Sequence, residues 1–247
     1  MEKRIEDNQL MRRIRRCFNK GIVQYGLIED GDKILVGLSG GKDSLALLEL
    51  LALQSRIYKP KFSVIAAHII MKNIAYESDL EYLRNYAESL GVPYIAYETS
   101  FDASTDTRKS PCFLCSWNRR KALFTIAKEQ GCNKIALGHH MDDILETLLM
   151  NMTFQGAFST MPPRLVLRKF DMTIIRPMCL VHEVDLQELS ELRGYKKQIK
   201  NCPYEKESNR SSIKKVLHLL ERLSPEARYS LWGSMSNIQY DLLPKER

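Results

Sequence analysis

The sequence lacks the marks of an exported or membrane-embedded protein. Residues 1–7 contain no apolar core of a signal peptide, and Glu49 or His68 interrupts the longest apolar stretches well short of the length that crosses a bilayer. The chain also has no internal repeat and no low-complexity linker. We therefore expect a cytoplasmic protein without a membrane partner, and its 247 residues are enough for a buried core.

Acidic residues are scarce in two parts of the chain, which carries a net charge of +7. Residues 1–20 contain seven basic and three acidic side chains, and residues 193–222 contain nine and three. In the first part, one face of a predicted helix presents Arg12, Arg16 and Lys20. Such a stripe is a candidate contact for the phosphate backbone of a nucleic acid, although a solvated helix face has the same composition.

The sequence also lacks the motif G-x-x-x-x-G-K-[ST], with which kinases and GTPases bind phosphate. Instead, an apolar run from Ile34 to Leu38 passes through a glycine turn into a leucine-rich segment of helical period. The turn consists of Ser39, Gly40, Gly41, Lys42, Asp43 and Ser44. The N–H groups of such a turn converge where the helix begins and bind phosphate or pyrophosphate, whereas a plain strand-to-helix connection is the alternative.

Strands and helices alternate along most of the chain. Predicted strands cover 34–38, 61–71, 93–98, 134–137, 165–167 and 173–175. Predicted helices cover 8–25, 45–51, 76–90, 116–130, 142–149, 183–193, 209–223 and 226–238. This order predicts an α/β fold with a Rossmann-like, mainly parallel sheet and flanking N- and C-terminal helices. We expect a basic N-terminal helix at 1–26, a catalytic domain at 27–180 and a helical C-terminal region at 181–247.

The six cysteines lack the setting of a disulfide framework, because no secretory signal accompanies them. Cys112 and Cys115 form a C-x-x-C pair, but the second C-x-x-C of a typical zinc site is missing. With the remote Cys202, followed by proline, three thiolates can hold a [4Fe–4S] cluster and leave one iron open to sulfide. A zinc site and a redox pair stay open as alternatives. Two further thiols in apolar segments are predicted to lie in the core: Cys132 and Cys179, the latter as a reserve ligand.

A second glycine turn, at residues 138–140, leads into the predicted helix 142–149. The beginning of this helix carries Asp142, Asp143 and Glu146. Asp142 and Glu146 lie one turn apart on one face, so their carboxylates can reach a Mg²⁺ ion bound to nucleotide phosphates. Helix capping and pairing with the helix dipole are the plain alternative.

These motifs together resemble the tRNA 2-thiocytidine synthetases, a tRNA-thiolating branch of the ATP pyrophosphatases. The matching motifs, in chain order, are Ser39-Gly40-Gly41-Lys42-Asp43-Ser44, Cys112-Phe113-Leu114-Cys115, residues 138–147 (GHHMDDILET), Met161-Pro162-Pro163, Arg176-Pro177 and Cys202. The match runs from about Gly26 to Cys202. Each motif is weak alone, but the set in this order is specific.

The resemblance implies the ATP-pyrophosphatase, or adenine nucleotide alpha-hydrolase-like, fold and sulfur transfer to tRNA. In that family, ATP adenylates the C2 oxygen of a cytidine in the anticodon loop, and sulfur carried on the open iron displaces AMP. ATP would bind to the loop Ser39–Ser44, with Gly138 and Asp142 nearby. The implied cluster ligands are Cys112, Cys115 and Cys202. The candidate catalytic residues are Asp43, Asp142 and Arg119.

The implied partners are tRNA and a sulfur donor, either a cysteine desulfurase system or sulfide, and the last two helices are a candidate homodimer surface. Related enzymes that act on uridine carry zinc fingers at both ends, and their absence here favours cytidine. Arg119 stands where some relatives carry Lys, so a fixed cation replaces a titratable amine. Another adenylating ligase with a structural zinc, and a non-enzymatic cluster- or RNA-binding module, are the remaining alternatives.

Overall fold

The computed structural model describes residues 2–72, 76–77, 79–102, 111–196, 199–200 and 209–244. They belong to two compact units, one of residues 1–141 and 162–205 and one of residues 142–161 and 206–247. In the part of the chain so described, no helix combines the length and the apolar character needed to span a bilayer.

The first unit contains the whole sheet. Its helices are α1 (Glu2–Tyr25), α2 (Lys42–Ser55), α3 (Leu80–Ser89), α4 (Pro111–Glu129) and α6 (Glu183–Arg193). Its strands are β1 (Lys33–Gly37), β2 (Ser63–Met71), β3 (Tyr76–Glu77), β4 (Tyr94–Thr99), β5 (Lys134–Ala136), β6 (Arg164–Leu167), β7 (Met172–Ile175) and β8 (Ile199–Lys200). The second unit contains nearly all of α5 (Met141–Gln155), together with α7 (Asn209–Leu223) and α8 (Ala227–Ser234).

The main sheet has the strand order β4-β2-β1-β5-β7-β6, in which only the edge strand β6 runs antiparallel to its neighbour. The predicted α/β fold with a mainly parallel sheet is thereby confirmed. Val36 pairs with Ala136, and Ala136 pairs with Ile175, so β1, β5 and β7 end in line. Because parallel strands end at the same edge, the connections after these strands gather along one rim of the sheet.

Both faces of the sheet are covered by helices. On one face, α1, α2 and α6 pack together, and α1 buries Ile14, Phe18 and Ile22, which share one side of the helix. On the other face, Ile126 of α4 packs with Leu35 of β1. A parallel strand buried on both faces needs apolar residues at every position, which explains the continuous run at residues 34–36.

Several predicted bounds require correction: α1 already begins at Glu2, α5 continues to Gln155, and α8 ends at Ser234. Two further differences have a clear physical reason. The predicted helix 76–90 begins only at Leu80, because the Asp79 side chain accepts a hydrogen bond from the Tyr82 backbone N–H at 2.9 Å and caps the helix there. Residues Tyr76–Glu77 instead pair antiparallel with Ile199–Lys200 as a short ribbon. The C-x-x-C segment, which precedes the predicted helix 116–130, belongs to α4, because that helix already begins at Pro111. Proline suits the first helical turn, where its missing N–H costs no hydrogen bond.

Candidate functional site

The loop between β1 and α2 is held together by a serine. Ser44 is buried, and its Oγ accepts a hydrogen bond from the Gly40 N–H at 3.0 Å and donates one to the Gly41 carbonyl at 2.9 Å. Ser39 Oγ lies 3.1 Å from the same hydroxyl. Gly40 has a φ of +86°, a region that favours glycine. The loop therefore presents a folded turn at the positive end of α2, the geometry that binds phosphate.

The charged side chains of this loop lie beside an acid from α6. Lys42 Nζ is 3.0 Å from Asp43 Oδ1 and 3.5 Å from Glu183 Oε1. All three side chains are partly exposed, so a ligand can reach them. Sequence reasoning missed Glu183 as a neighbour of the loop, and its position at the start of a predicted helix was the available signal.

Gly138, which follows β5, packs directly onto the phosphate loop. A Cβ atom at this position would lie 3.1 Å from both the carbonyl carbon and the oxygen of Asp43, and 3.2 Å from the Ser44 nitrogen. These are backbone atoms that cannot rotate away, so only glycine fits without shifting the start of α2. The structure thus brings the two glycine turns of the sequence together.

The Met-Pro-Pro and Arg-Pro motifs also meet. The Arg176 backbone N–H donates to the Pro163 carbonyl at 2.8 Å, and its guanidinium Nη1 donates to the Pro162 carbonyl at 2.6 Å. Arg176 is 7% exposed and directly follows β7. The Met-Pro-Pro and Arg-Pro motifs therefore lie together at the rim where β1, β5 and β7 end. The sequence alone does not show this contact.

His68 lies on β2 under the phosphate loop. Its Nδ1 is 2.8 Å from the Leu38 carbonyl, which can only accept, so Nδ1 carries the proton and Nε2 is an acceptor. Nε2 is buried and has no hydrogen-bond partner among the described residues. Burial lowers the pKa of His68, the Leu38 hydrogen bond opposes this, and the positive charge of Arg119 lowers it further. The imidazole is therefore neutral near pH 7, as a buried rim histidine should be.

Helix α4 carries the C-x-x-C pair on its first turn. Residues three apart share a side of a helix, so Cys112 and Cys115 lie on the same side. Cys112 is exposed and Cys115 is half-buried. Two cysteines with this spacing on one side of a helix are a suitable half of a metal site. Arg119 follows four residues after the second cysteine, where its charge acts on His68.

The third predicted cluster ligand, Cys202, lies outside the described residues. Among the residues that are described, no group of three His, Cys, Asp or Glu side chains is placed to hold a metal ion. Cys132 and Cys179 are buried core thiols, as predicted. Burial raises the pKa of both thiols, that of Cys179 to about 12. A thiol that resists ionisation in this way is a poor ligand, so the structure does not favour Cys179 as a reserve.

The acids at the start of α5 form ion pairs within the second unit. Asp142 is buried and pairs with Arg228 of α8. Arg210 of α7 lies 2.8 Å from Asp143 and 3.6 Å from Glu146. A Mg²⁺ ion at these carboxylates would have to displace the arginines. The predicted RNA contacts of α1 are all solvent-exposed: Arg12, Arg16 and Lys20.

Comparison with known proteins decides the family. Residues 6–230 match the PP-loop domain family. The tRNA-cytidine(32) 2-sulfurtransferase of Cellvibrio japonicus is 36% identical over 241 residues, which cover 96% of this chain and 79% of that protein. The enzyme of the same name from Vibrio vulnificus strain YJ016 is 38% identical over 236 residues, covering 94% and 76%. The chain belongs to this sulfurtransferase family.

Members of this tRNA-cytidine 2-sulfurtransferase family are transferases, so the chain is an enzyme of that class. A solved structure supports the fold: the U34-tRNA thiolase NcsA from Methanococcus maripaludis, determined with its [4Fe-4S] cluster, superposes with a TM-score of 0.75 at 24% identity. The superposition covers 98% of this chain and 82% of that one. At this identity the likeness concerns the architecture, which is that of the PP-loop enzymes.

Proposed function

We propose that this chain uses ATP to replace the C2 oxygen of a tRNA cytidine with sulfur. The observation that carries the proposal is the contact of Gly138 with the Asp43–Ser44 backbone, which joins two separate family motifs into one phosphate-binding corner. The sequence relationship to the tRNA-cytidine(32) 2-sulfurtransferases supplies the substrate class.

In this proposal, the loop Ser39–Ser44 binds the phosphates of ATP through its N–H groups and Lys42. Lys42 now lies beside two carboxylates, and phosphate oxygens would exchange for these partners. Mg²⁺ is expected to accompany ATP, and Asp43 in the loop is a candidate carboxylate ligand. Asp142 stays a separate candidate, and binding of a cation there would open its ion pair with Arg228.

The reaction then has two displacements. The cytidine C2 oxygen attacks the α-phosphorus of ATP and pyrophosphate leaves, so the base carries an adenylyl group on that oxygen. A sulfur nucleophile next attacks C2, the carbon–oxygen bond breaks, and AMP leaves with the oxygen. Arg119 is a fixed cation that can stabilise the charge on the phosphate in both steps. The neutral His68 leaves no additional charge beneath the loop.

The residues of α4 fit an iron–sulfur site, because two thiols share one side of the helix near its positive end. We propose Cys112, Cys115 and Cys202 as the ligands of a [4Fe–4S] cluster, which when bound supplies an open iron site for sulfide. Sulfide itself or a cysteine desulfurase system would be the sulfur donor.

The target base must leave its stack to reach the rim of the sheet, as enzymes that modify bases require. The exposed stripe of Arg12, Arg16 and Lys20 is the proposed contact for the tRNA backbone. A homodimer through the last two helices also remains a proposal.

Metal analysis and pyrophosphate release test this function together. Protein purified without oxygen should hold about four iron and four sulfide ions per chain and release pyrophosphate only when tRNA is present. Cys112→Ser should lose iron and thiolation, whereas Cys17→Ser, a half-buried thiol on α1, should keep both. One equivalent of zinc without labile sulfide would instead support an adenylating ligase with a structural metal. Absence of tRNA-dependent pyrophosphate release would support a binding module.

A further inference from the structure

Arg176 is a buried cation whose hydrogen-bonding capacity is only partly used. The residue is 7% exposed, and its Nη1 donates to the Pro162 carbonyl at 2.6 Å. Its Nε is buried and has no hydrogen-bond partner among the described residues. A guanidinium has five N–H donors, and burying one without a partner costs free energy.

The charges around Arg176 make this burial more costly. Desolvation lowers the pKa of Arg176, and so does the second cation, Arg120 of α4, while Cys179 acts weakly in the opposite sense. In the described part of the chain, no carboxylate forms an ion pair with this guanidinium. A buried charge is stable only when an opposite charge or a full set of hydrogen bonds compensates it. An anion would supply both the opposite charge and the acceptor that the Arg176 Nε–H lacks.

Arg176 stands at the right place for a substrate anion. Val36, Ala136 and Ile175 are register partners, so the next residues, including Gly37 and Arg176, lie in one row at the rim. The row crosses two strand spacings, which puts the Arg176 backbone about 10 Å from Gly37, the last residue of β1 before the loop Ser39–Ser44. Successive side chains of a strand point to opposite faces, and Ile175 packs on the α1–α2–α6 face. Arg176 is thus directed to the side of α4, where Arg120 and the C-x-x-C pair lie.

We propose that Arg176, assisted by Arg120, binds a phosphate group of a substrate. The guanidinium, anchored through Nη1 to the Pro162 carbonyl, offers Nε–H and its remaining donors in the fork that matches two phosphate oxygens. The proposal rests on the proposed function, which supplies two phosphate-bearing ligands: ATP with its product pyrophosphate, and the tRNA backbone.

The test uses the full chain and compares Arg176→Met with Arg168→Met. Arg168 is an exposed arginine at the opposite end of the β6–β7 hairpin, so its substitution controls for loss of one positive charge. Binding of inorganic pyrophosphate and ATP is measured by calorimetry, and binding of a tRNA transcript is measured at several salt concentrations. Arg176→Met should lower the affinity for at least one of these ligands tenfold or more, and Arg168→Met should leave every affinity within about twofold of that of the unsubstituted chain.

The pattern of losses identifies the source of the phosphate. Weaker binding of pyrophosphate and ATP assigns Arg176 to the nucleotide. Weaker binding of tRNA alone, with a salt dependence reduced by about one ion, assigns it to the RNA backbone. Equal affinities of Arg176→Met and Arg168→Met for all ligands would overturn the inference while leaving the proposed function intact. Failure of the unsubstituted chain to bind ATP would instead overturn the proposed function.

Arg120→Gln provides a second test if Arg176→Met does not fold. Arg120 is exposed, so this change should be tolerated, and it removes the repulsion on Arg176. If both arginines bind phosphate, Arg120→Gln raises the thermal stability of the ligand-free chain. It also lowers, about threefold or more, the affinity for the ligand that Arg176 binds. Higher stability with unchanged affinities for pyrophosphate, ATP and tRNA would overturn the joint site.

Discussion

Two buried cations lie at opposite rims of the sheet, and among the described residues only one of them, Lys134, has acidic partners. Lys134, at the start of β5, is 3% exposed, and its Nζ lies 2.7 Å from Asp32 and 3.2 Å from Glu29 and donates to the Leu27 carbonyl at 3.1 Å. Arg176, after β7, has a carbonyl partner and a second arginine nearby. Internal charge pairs neutralise Lys134 at one rim, whereas no acid of the described segments pairs with Arg176 at the other.

The same contrast recurs on α1. Arg13 pairs with Asp185 at 2.8 Å and with Glu188 at 2.9 Å, and so belongs to the packing of α1 against α6. Arg12 and Arg16, its neighbours along the helix, are exposed. A cation that forms an ion pair within the fold stabilises the structure, whereas an exposed cation without such a pair is available to bind a polyanion. Substitutions at the two kinds of position should therefore affect different measurements.

The largest effect is expected at the rim with Lys134. Lys134→Met leaves the buried Asp32 without its cation, so the free energy of unfolding should fall by about 3–5 kcal/mol in urea denaturation. Lys128→Met, at an exposed position of α4, is the control and should change it by less than about 0.5 kcal/mol. A loss below about 1 kcal/mol for Lys134→Met would show that the charge pairs of Lys134 are not structural.

The next largest effect is expected at the other rim, where Gly138 and Arg176 lie. Gly138→Ala puts a methyl group 3.1 Å from the Asp43 carbonyl and should displace the phosphate loop. Because a shift of about 1 Å can cost a hundredfold in rate, tRNA-dependent pyrophosphate release should slow by about that factor. Gly233→Ala, with nothing within 4 Å of the new Cβ, should keep the rate. An unchanged rate in Gly138→Ala would separate this glycine from the site.

The exposed stripe of α1 should give a smaller effect, confined to RNA binding. Replacing Arg12, Arg16 and Lys20 together by Gln should weaken tRNA binding about tenfold or more and lower the slope of log affinity against log salt by about two. Arg13→Gln removes a charge that is already paired within the protein, so its slope should hardly change. Equal slopes in the triple variant and Arg13→Gln would contradict a role of the stripe in tRNA binding.

The smallest effect concerns the buried thiol Cys179. Its pKa is raised to about 12 in the folded chain from an ordinary value of 9.0, so its contribution to stability is complete below pH 9 and is lost as the pH rises towards 12. Relative to that of Cys179→Ala, the free energy of unfolding of the unsubstituted chain should be about 1 kcal/mol lower at pH 10 than at pH 8. A difference between the two that does not change with pH would show that this thiol ionises normally.

Local patterns predicted the elements better than their long-range contacts. The predicted bounds of α6 and α7, residues 183–193 and 209–223, match the structure, because their apolar period and flanking breakers are encoded locally. The predicted start of α4 at residue 116 was wrong, because the C-x-x-C pair was grouped with the polar stretch before Pro111 instead of with the helix. The pairing of Tyr76–Glu77 with Ile199–Lys200 joins segments far apart in sequence, and neither has a strand pattern of its own.

The candidate site was predictable as a set of residues but not as a set of contacts. The glycines of the phosphate loop and Gly138 were both identified from their turns, although Gly138 is required by its contact with the Asp43–Ser44 backbone and not by its own φ. The approach of Glu183 to Lys42, and the compensation of Lys134 by Asp32, depend on which elements the fold places side by side. Charge complementarity of this kind has no periodicity, so it becomes visible only in three dimensions.

The nucleoside product tests the central claim most directly. The full chain, purified without oxygen, is incubated with unmodified tRNA, ATP and sulfide, and the digested tRNA is analysed by mass spectrometry while pyrophosphate is counted. One 2-thiocytidine per pyrophosphate released is the predicted result, with no thiolated nucleoside from Cys112→Ser. Release of pyrophosphate without 2-thiocytidine, or equal thiolation by Cys112→Ser, would contradict ATP-driven sulfur transfer through this site.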